Sequence, residues 1–159
     1  MTADPILLTS GGHADLRDVM AVMDDSFDPR FGEAWTHGQL AGLLPMPGVW
    51  LTLACRNGTV FGFALARLVA DEAELLLLAV MSTGQRQGIG RILLEHFEDE
   101  AVARGAARLH LEVRDGNHAL SLYAQAGFEL AGRRRDYYSG QKGDRYDALT
   151  LAKKAGNLR

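Results

Sequence analysis

Hydrophobic and polar residues recur with two different periods along the chain, and these periods predict its elements. The stretch PILLTS is typical of a first strand, and residues 13–27 show helical spacing. We expect the inner face of that helix to carry Leu16, Val19, Met20 and Met23. The loop FDPRFGEAW then leads to a second, short helix, which the prolines of PMP at 45–47 end.

The middle of the chain predicts a set of neighbouring strands. VWLTLACR and TVFGFALARLVA flank Asn57-Gly58, a dipeptide typical of a tight hairpin turn. A turn at Asp71-Glu72 leads into ELLLLAVM, which is apolar on both faces and therefore suits a central strand covered on both sides. A helix through Arg104 follows, and Gly105 fits its C-terminal cap.

The last third of the chain completes the order of elements. In RLHLEVR, the apolar side chains fall on one face and His110, Glu112 and Arg114 on the other. HALSLYAQA predicts a short helix ended by Gly127, and FELAGRRRDYY and DRYDALTLAKK predict a closing strand pair. The order β-α-α-β-β-β-α-β-α-β-β, without repeat or linker, predicts one mixed α/β (α+β) domain over residues 1–159.

Composition narrows the class of protein. Hydrophobic residues make up 47% of the chain and charged residues 23%, as in a globular domain. The net charge of −3 argues against general nucleic-acid binding. No apolar stretch reaches the roughly eighteen residues that a membrane span needs, and no signal peptide is evident, so we expect a cytoplasmic location.

The charged residues are unevenly distributed along the chain, and the cysteine and histidines show no clustering. Residues 1–76 hold ten acidic and four basic side chains, whereas residues 77–159 hold ten acidic and thirteen basic ones. The acidic half suits a cationic substrate and the basic half an anionic cofactor, unless both are ordinary solvated faces. Cys55 is the only cysteine and the five histidines show no ligand spacing, so we expect no disulfide and no metal site.

One short stretch asks for a functional explanation. QRQGIGRILL, residues 85–94, places Gly88 and Gly90 where a helix begins, although glycine in a helix costs about 1 kcal/mol relative to alanine. A helix N-terminus presents unpaired N–H groups to anions, and glycine lets a phosphate approach the backbone closely. We therefore predict a pyrophosphate cradle, with added charge from Arg86 and Arg91. Tight packing of strand against helix would explain the same glycines.

Family motifs favour the first explanation. A dinucleotide fingerprint would need glycine where this chain has Leu93, and the GKS or GKT of a P-loop is absent. QRQGIGRILLEHF instead resembles the acetyl-coenzyme A motif, Q/R-x-x-G-x-G/A, of the GNAT N-acetyltransferases. LEVRDGNHALSLYAQAGF and RRRDYYSGQKGDRYDALTLAK resemble later parts of its RimI-type members, which acetylate protein N-termini. The likeness runs from about Val60 to Lys153.

This resemblance implies a fold and a coenzyme site. The sheet would be mixed, mostly antiparallel and splayed between its fourth and fifth strands, which end at Met81 and Arg114, and the pantetheine arm of acetyl-coenzyme A would lie in the splay. The implied coenzyme contacts are Leu78, Ala79, Val80, Gln85, Arg86, Gln87, Gly88, Ile89, Gly90, Arg91, Asn117 and Tyr123. Between Asn117 and Ala119 the chain is one residue shorter than the family pattern.

The resemblance also implies two catalytic side chains. Glu112 would be the general base that takes the amine proton, directly or through a water, and Tyr123 would protonate the departing thiolate. The residues by themselves leave open a Glu112 that is paired with Arg114 or His110 on a strand face, and a Tyr123 that belongs to the core.

Acceptor contacts are expected from two regions. Tyr137 and Tyr138 match the family's RRxYY element, which shapes the acceptor groove, with cross-strand packing as the alternative. Glu33 and Trp35 lie in the predicted loop between the first two helices and would contact a cationic peptide. Further loop acids would assist or lie in solvent: Asp24, Asp25 and Asp28. The arginines at 133–135 would meet the coenzyme's 3′-phosphate or solvent, and we expect solvent for at least two.

The sequence therefore predicts an acetyl-coenzyme A dependent N-acetyltransferase of the RimI type, acting on a protein N-terminus. The target named for that family is the N-terminal alanine of a small-subunit ribosomal protein. The alternatives are a small amine or a lysine side chain as acceptor, and a catalytically idle coenzyme A-binding module. We expect a monomer or weak dimer that binds neither nucleic acid nor a membrane.

Overall fold

The elements follow one another in the predicted order in the computed structural model, which describes residues 4–156. The described residues form seven strands: β1 Leu7–Gly11, β2 Val49–Arg56, β3 Thr59–Val69, β4 Glu72–Val80, β5 Arg108–Arg114, β6 Glu129–Ser139 and β7 Arg145–Lys154. They also form four α-helices: α1 Leu16–Ser26, α2 His37–Leu43, α3 Ile89–Ala103 and α4 Leu120–Gln125. Residues 1–3 and 157–159, which the single-domain prediction includes, lie outside the described residues.

These strands form one sheet in the order β1-β2-β3-β4-β5-β7-β6. All neighbouring pairs are antiparallel except β4 and β5, which run parallel. The parallel pairing ends at Leu75↔Leu111. Beyond it, β4 continues to Val80 and β5 to Arg114 without pairing to each other. The predicted splay between the fourth and fifth strands is therefore confirmed.

A β-bulge in β4 coincides with the start of the splay. The strand pairs with β3 on either side of Leu76, which is an extra residue in the register. An extra residue bends a strand and shifts its side chains to the opposite faces. Ala73 and Leu75 accordingly lie in the core on one face of the sheet, whereas Leu77 and Ala79 lie in the core on the other. The ELLLLAVM stretch is thus covered on both sides, as predicted.

The helix α1 buries a slightly wider face than the predicted one. Leu16, Val19 and Met23 are buried as expected, but Met20 is only half-buried and Val22 is fully buried. Met20 packs against the same core cluster as the other three, so the predicted face is confirmed, and Val22 widens it.

Candidate active site

The turn into α3 leaves a row of backbone N–H groups without partners. Arg86 (φ 64°) and Gly88 (φ 79°) have left-handed backbone conformations, and the helix begins at Ile89. Within the described part of the chain, no backbone N–H of residues 86–91 donates a hydrogen bond. Successive free N–H groups at a helix start form a cradle for an anion. We call residues 86–91 the anion cradle.

Gly88 and Gly90 have different reasons to be glycine. Gly88 lies just before the helix at a positive φ, and a Cβ there would meet no atom within 4 Å, so the space in front of it is open. Gly90 lies inside the first turn, where a Cβ would contact Leu122 Cδ2 at 3.5 Å and Val80 Cγ2 at 3.8 Å. Those are ordinary contacts, so the backbone requires glycine only at position 88.

Two glutamine side chains brace the cradle from behind. Gln85 Nε2 donates to the carbonyl of Val80 at 3.3 Å, and Gln87 Nε2 donates to the carbonyl of Thr83 at 3.0 Å. Gln87 Oε1 also accepts from Arg56 Nη1 at 2.7 Å. Arg56 closes the β2–β3 hairpin, and no local sequence signal singled it out. The glutamines of the motif therefore support the turn, leaving its N–H groups free.

The motif's two arginines both lie at the surface. Arg91 forms an ion pair with Glu95 at 3.1 Å, one turn along α3, and Arg86 is exposed in the turn itself. Neither side chain is buried, so each remains able to reach an anion held in the cradle.

The unpaired half of β4 adjoins this turn. Leu78, Ala79 and Val80 pair with β3 along one edge, while their other edge faces the splay. An extended chain can add to such an edge like another strand. The cradle and this edge together fit the pyrophosphate and pantetheine of the coenzyme that the sequence motif implies.

Glu112 lies on β5 beside the splay, with its side chain 13% exposed. Its Oε2 accepts a hydrogen bond from Thr150 Oγ1 at 2.9 Å, and Arg134 Nε lies 3.0 Å from its Oε1. The predicted alternative, a pairing with Arg114 or His110, is wrong: Arg114 forms an ion pair with Glu33, and His110 Nε2 lies 3.8 Å from Glu74 Oε2. Thr150 pairs directly across from Glu112 in β7, a relationship that only the strand register creates.

The arginines at 133–135 on β6 are exposed, and two of them form ion pairs. Arg133 Nη1 lies 2.8 Å from both Asp115 Oδ2 and Asp147 Oδ2, and Arg134 holds Glu112. Hydrogen bonds from its two acidic partners raise the pKa of Arg133 above its ordinary value. The run thus ties β6 to the end of β5 and to β7.

A buried ion pair brings the predicted acceptor loop to the same end of β5. Glu33 Oε1 accepts from Arg114 Nε at 3.0 Å, and Glu33 Oε2 accepts from Asn117 Nδ2 at 2.8 Å. Asn117 Oδ1 in turn accepts from the backbone N–H of Ala119 at 2.8 Å. Glu33, expected at the acceptor, and Asn117, expected at the coenzyme, are therefore partners of each other.

That loop also packs against the hairpin between β6 and β7. A Cβ on Gly32 would collide with the carbonyl of Ser139, and one on Gly140 would collide with the carbonyl of Arg30. Two glycines are required here because two backbones touch without side chains between them. The loop and the hairpin together close over the end of β5.

Four of the predicted site residues interact electrostatically. Tyr123 is buried, and burial, with a smaller effect of the Glu33 charge, raises its pKa above the ordinary tyrosine value. The pKa of Tyr138 is raised by burial first, then by the charges of Glu33 and Glu112. The charge of Glu33 thus acts on both tyrosines, and the charge of Glu112 acts on Tyr138.

Two other predicted residues lie outside this group. Tyr137 is half-exposed, with its ring edge-on to Tyr138 at 5.0 Å between centroids. Trp35 is half-buried and lines a groove of about 390 Å³, whose other lining residues come from α2 and the turn after it: Gln39, Gly42, Leu43 and Met46. None of the four interacting residues lines that groove.

The loop acids are partly used within the chain. Asp25 Oδ2 accepts from the Ser82 backbone N–H at 2.7 Å, and Asp28 pairs with Arg30 at 2.9 Å. The Arg30 side chain lowers the pKa of Asp28, whereas Asp24 is exposed.

Over residues 4–156, no group of three His, Cys, Asp or Glu side chains can hold a metal ion. No helix in that range is long and apolar enough to cross a membrane.

A mixed sheet splayed between β4 and β5, with an anion cradle at the start of the following helix, is the architecture that the motifs imply. The chain belongs to the acetyltransferase (GNAT) family, whose pattern matches residues 18–128.

Known relatives extend the match. The [ribosomal protein bS18]-alanine N-acetyltransferase of Escherichia coli K12 is 48% identical over 98 residues, which span 61% of this chain and 66% of that enzyme. The N-alpha-acetyltransferase RimI of Mycobacterium tuberculosis is 40% identical over 95 residues, spanning 57% of this chain and 58% of that protein. These matches cover less than two thirds of the relatives' length.

A solved structure matches over almost the whole chain. The crystal structure of the Escherichia coli ribosomal-protein-S18-alanine N-acetyltransferase agrees with a TM-score of 0.85 at 34% identity, covering 98% of this chain and 97% of that one. The family pattern begins at residue 18, well before the likeness from Val60 that the motifs gave, and the structural match extends over the first sixty residues as well.

Proposed function

We propose that this chain is an acetyl-coenzyme A dependent N-acetyltransferase that acetylates the α-amine of a protein N-terminus. The observation that carries the proposal is the carboxylate of Glu112, held by Thr150 and Arg134 on β5 beside a splay whose open β4 edge leads to the anion cradle. Because the relatives above are named for ribosomal protein bS18-alanine, an N-terminal alanine is the first acceptor to test.

Acetyl-coenzyme A supplies the thioester that carries the acetyl group. The cradle's N–H groups bind its pyrophosphate, with Arg86 and Arg91 adding charge at the rim. The edge of β4 at 78–80 binds the pantetheine arm as an added strand would bind. Gln85 and Gln87 act from behind the turn, where their side chains already hold its backbone.

Glu112 removes the proton from the attacking amine, directly or through a water, as its nitrogen bonds to the thioester carbon. Thr150 holds the carboxylate in place, and Arg134 pairs with its other oxygen until the acceptor arrives. Tyr123 donates a proton to the sulfur as the carbon–sulfur bond breaks. General acid–base groups of this kind each contribute about 10²–10⁴-fold in rate.

Burial changes what Tyr123 contributes. A raised pKa keeps its phenol protonated at neutral pH, so the hydroxyl is always a donor. The same shift makes complete transfer of its proton to a thiolate less favourable than an ordinary phenol would allow. Tyr123 therefore stabilises the developing thiolate by a hydrogen bond first, and proton transfer completes the step.

An α-amine suits this site better than a lysine amine. The ordinary pKa values are about 8 and about 10.4, so deprotonating lysine at neutral pH costs about 3 kcal/mol more. The acceptor lies under the loop of Glu33 and against Tyr138, with Tyr137 at the outer edge. Trp35 borders the groove on α2 and contacts residues beyond the acetylated one.

Free-thiol release from acetyl-coenzyme A by the purified protein tests the proposal. The acceptors are peptides beginning with alanine, and the same peptides blocked at the N-terminus but containing lysine. Turnover only with free N-termini is expected, and turnover only with the blocked lysine peptides would contradict the proposed acceptor.

A variant pair separates an enzyme from a binding module. Glu112→Gln should lose about 10²-fold or more in kcat, consistent with loss of a general base, while acetyl-coenzyme A binding by calorimetry is retained. Glu129→Gln, at an exposed carboxylate on β6, is the matched control. Binding of acetyl-coenzyme A without turnover of any amine in the unmodified protein would instead support an idle module.

A further inference from the structure

The carboxylate of Glu33 is largely shielded from solvent although it belongs to a loop without regular structure. Its side chain and that of Arg114 are each 10% exposed. Burying two charges is unfavourable unless their geometry is good and their other polar atoms are satisfied. Both Glu33 oxygens accept hydrogen bonds, and the Arg114 guanidinium also lies 3.7 Å over the Phe31 ring of the same loop. The arginine is thus held by two residues of one loop.

Glu33 joins this loop to the strand of the proposed base. Arg114 is the last residue of β5, two positions beyond Glu112 on the same strand and the same face. A change in the ion pair therefore acts at the end of β5, within one repeat of the proposed base.

The same carboxylate reaches the helix of Tyr123. Asn117 donates to Glu33 and accepts from the Ala119 N–H, so both ends of its amide are used. Ala119 directly precedes α4, and α4 carries Tyr123 on its buried face. Through these two hydrogen bonds, Asn117 links the acceptor loop to the start of α4, at the place where the chain is one residue shorter than the family pattern.

We propose that Glu33 is a positioning residue, which fixes the acceptor-binding loop and Tyr123 relative to each other by holding Arg114 and Asn117 at once. The inference rests on the proposed N-acetyltransferase function. Glu33 holds the loop through its bonds to Arg114 and Asn117, so it acts on the acceptor through the position of that loop. The anion cradle lies on a different element, so binding of the coenzyme's pyrophosphate does not depend on Glu33.

The first test is Glu33→Gln, which keeps the side-chain shape. It replaces one accepting oxygen by an N–H donor that faces a donor of Arg114 or Asn117. We expect the acceptor KM to rise about tenfold or more with a smaller fall in kcat, since misplacement of about 1 Å can cost 10²-fold. The dissociation constant for acetyl-coenzyme A should stay within about twofold, because the cradle is untouched.

A double variant, Glu33→Gln with Asn117→Asp, reverses the direction of the central hydrogen bond. The new amide donates to the new carboxylate, which still accepts from Ala119, and the remaining amide oxygen still accepts from Arg114. The negative charge returns beside Arg114, and the net charge equals that of the unmodified protein. We expect the acceptor KM to return to within about threefold of the original value.

Asp18→Asn, at an exposed position on α1, is the matched control for loss of one carboxylate and should leave all constants unchanged. An unchanged acceptor KM in Glu33→Gln, or a double variant no better than the single one, would overturn the proposal.

Amide hydrogen exchange separates this inference from the proposed function. In Glu33→Gln, residues 28–35 and 117–123 should exchange faster together, and the double variant should restore their protection. That result would support the positioning role even if no amine were a substrate, whereas unchanged exchange in both segments would overturn it. Absence of turnover in the unmodified protein would contradict only the proposed function.

Discussion

Arg134 Nε lies 3.0 Å from Glu112 Oε1, so the carboxylate proposed as the general base already holds a cation. The two side chains differ in burial, with Arg134 62% exposed and Glu112 13% exposed. Ion pairs with an exposed partner are worth about 0–1 kcal/mol, so the arginine can leave without disturbing the fold. An acceptor N-terminus is a cation before it is deprotonated, and it needs the same oxygen.

Removing that competing cation should favour acceptor binding. We predict that Arg134→Ala lowers the acceptor KM by up to about fivefold at low salt and leaves kcat nearly unchanged, as expected for loss of about 1 kcal/mol of competition. Initial-rate kinetics with the alanine peptide measure it. Arg135→Ala, the next residue on the same exposed strand, is the control. A tenfold fall in kcat would show instead that Arg134 holds Glu112 in its active position.

The two glycines of the cradle should respond differently to alanine. Gly88→Ala places a side chain at a positive φ, which costs about 1–2 kcal/mol of stability, and its methyl group enters the open space of the cradle. We expect acetyl-coenzyme A affinity to fall about tenfold or more, which corresponds to about 1.4 kcal/mol.

Gly90→Ala is the matched comparison, because its Cβ makes only ordinary contacts. Its stability should be unchanged or higher by up to about 1 kcal/mol, since alanine is the better helix former. Coenzyme affinity should stay within about threefold, which is less than 1 kcal/mol. Denaturant unfolding and calorimetry measure both quantities, and equal loss of affinity in the two variants would contradict the prediction.

The raised pKa of Tyr123 predicts the shape of the pH profile. Burial and the Glu33 charge disfavour the phenolate, so the protonated donor persists to higher pH than in an ordinary tyrosine, whose pKa is about 10. Activity should rise as the acceptor amine loses its proton near pH 8 and then stay level to about pH 10. The stability that the neutral phenol contributes is fully present below the unfolded-state pKa of about 10, and it is lost as pH rises from there through the raised folded-state pKa.

Tyr123→Phe should lower kcat about 10²-fold across this range, because the thiolate loses its donor. The pKa of Tyr138 is also raised, but Tyr138 contacts the acceptor in the proposed site. Tyr138→Phe should therefore raise the acceptor KM and change kcat less. A falling limb in kcat centred well below pH 10 in the unmodified protein would contradict the role given to Tyr123.

A second buried ion pair should govern stability without touching the site. Lys153 pairs with Glu98, donates to the Ala126 carbonyl at 2.6 Å, and is 3% exposed against 6% for Glu98. Lys153→Met removes the cation beside a buried carboxylate, which should lower the free energy of unfolding by about 3–5 kcal/mol.

Adding Glu98→Leu to Lys153→Met should recover much of that loss, because two apolar side chains pack without an uncompensated charge. Urea unfolding measures all three proteins, and Lys154→Met at the exposed neighbour is the control. A loss below about 1 kcal/mol in the single variant would show that the pair is of the weak, solvent-screened kind.

The features that the sequence predicted correctly are local ones. The Asn57-Gly58 turn has the positive φ at both residues that a tight hairpin favours, and Gly105 and Gly127 end their helices at positive φ. The cradle likewise lies within one contiguous motif, so its backbone conformation follows from neighbouring residues. Period and turn chemistry act over a few residues, which is why they could be read without a structure.

The features that the sequence left open or missed are pairings between distant residues. Glu33 and Arg114 are 81 positions apart, and Glu112 and Thr150 are 38 apart. Val22 is fully buried beside the predicted face of α1, which contacts α2 as well as the sheet. A local sequence pattern does not predict which residue pairs with a charged side chain when that residue belongs to a distant strand, helix or loop.

The sequence by itself determined the order of elements and the turns that end them, because both depend on spacing within a short segment, whereas the splayed sheet followed only from the resemblance to a known family. Only the tertiary structure decided that Glu112 is held by Arg134 and Thr150, and that Glu33 is held between Arg114 and Asn117. Strand register and the packing of the loop against the β6–β7 hairpin bring those atoms within hydrogen-bond distance, and both arise from the packing of the whole sheet and its helices.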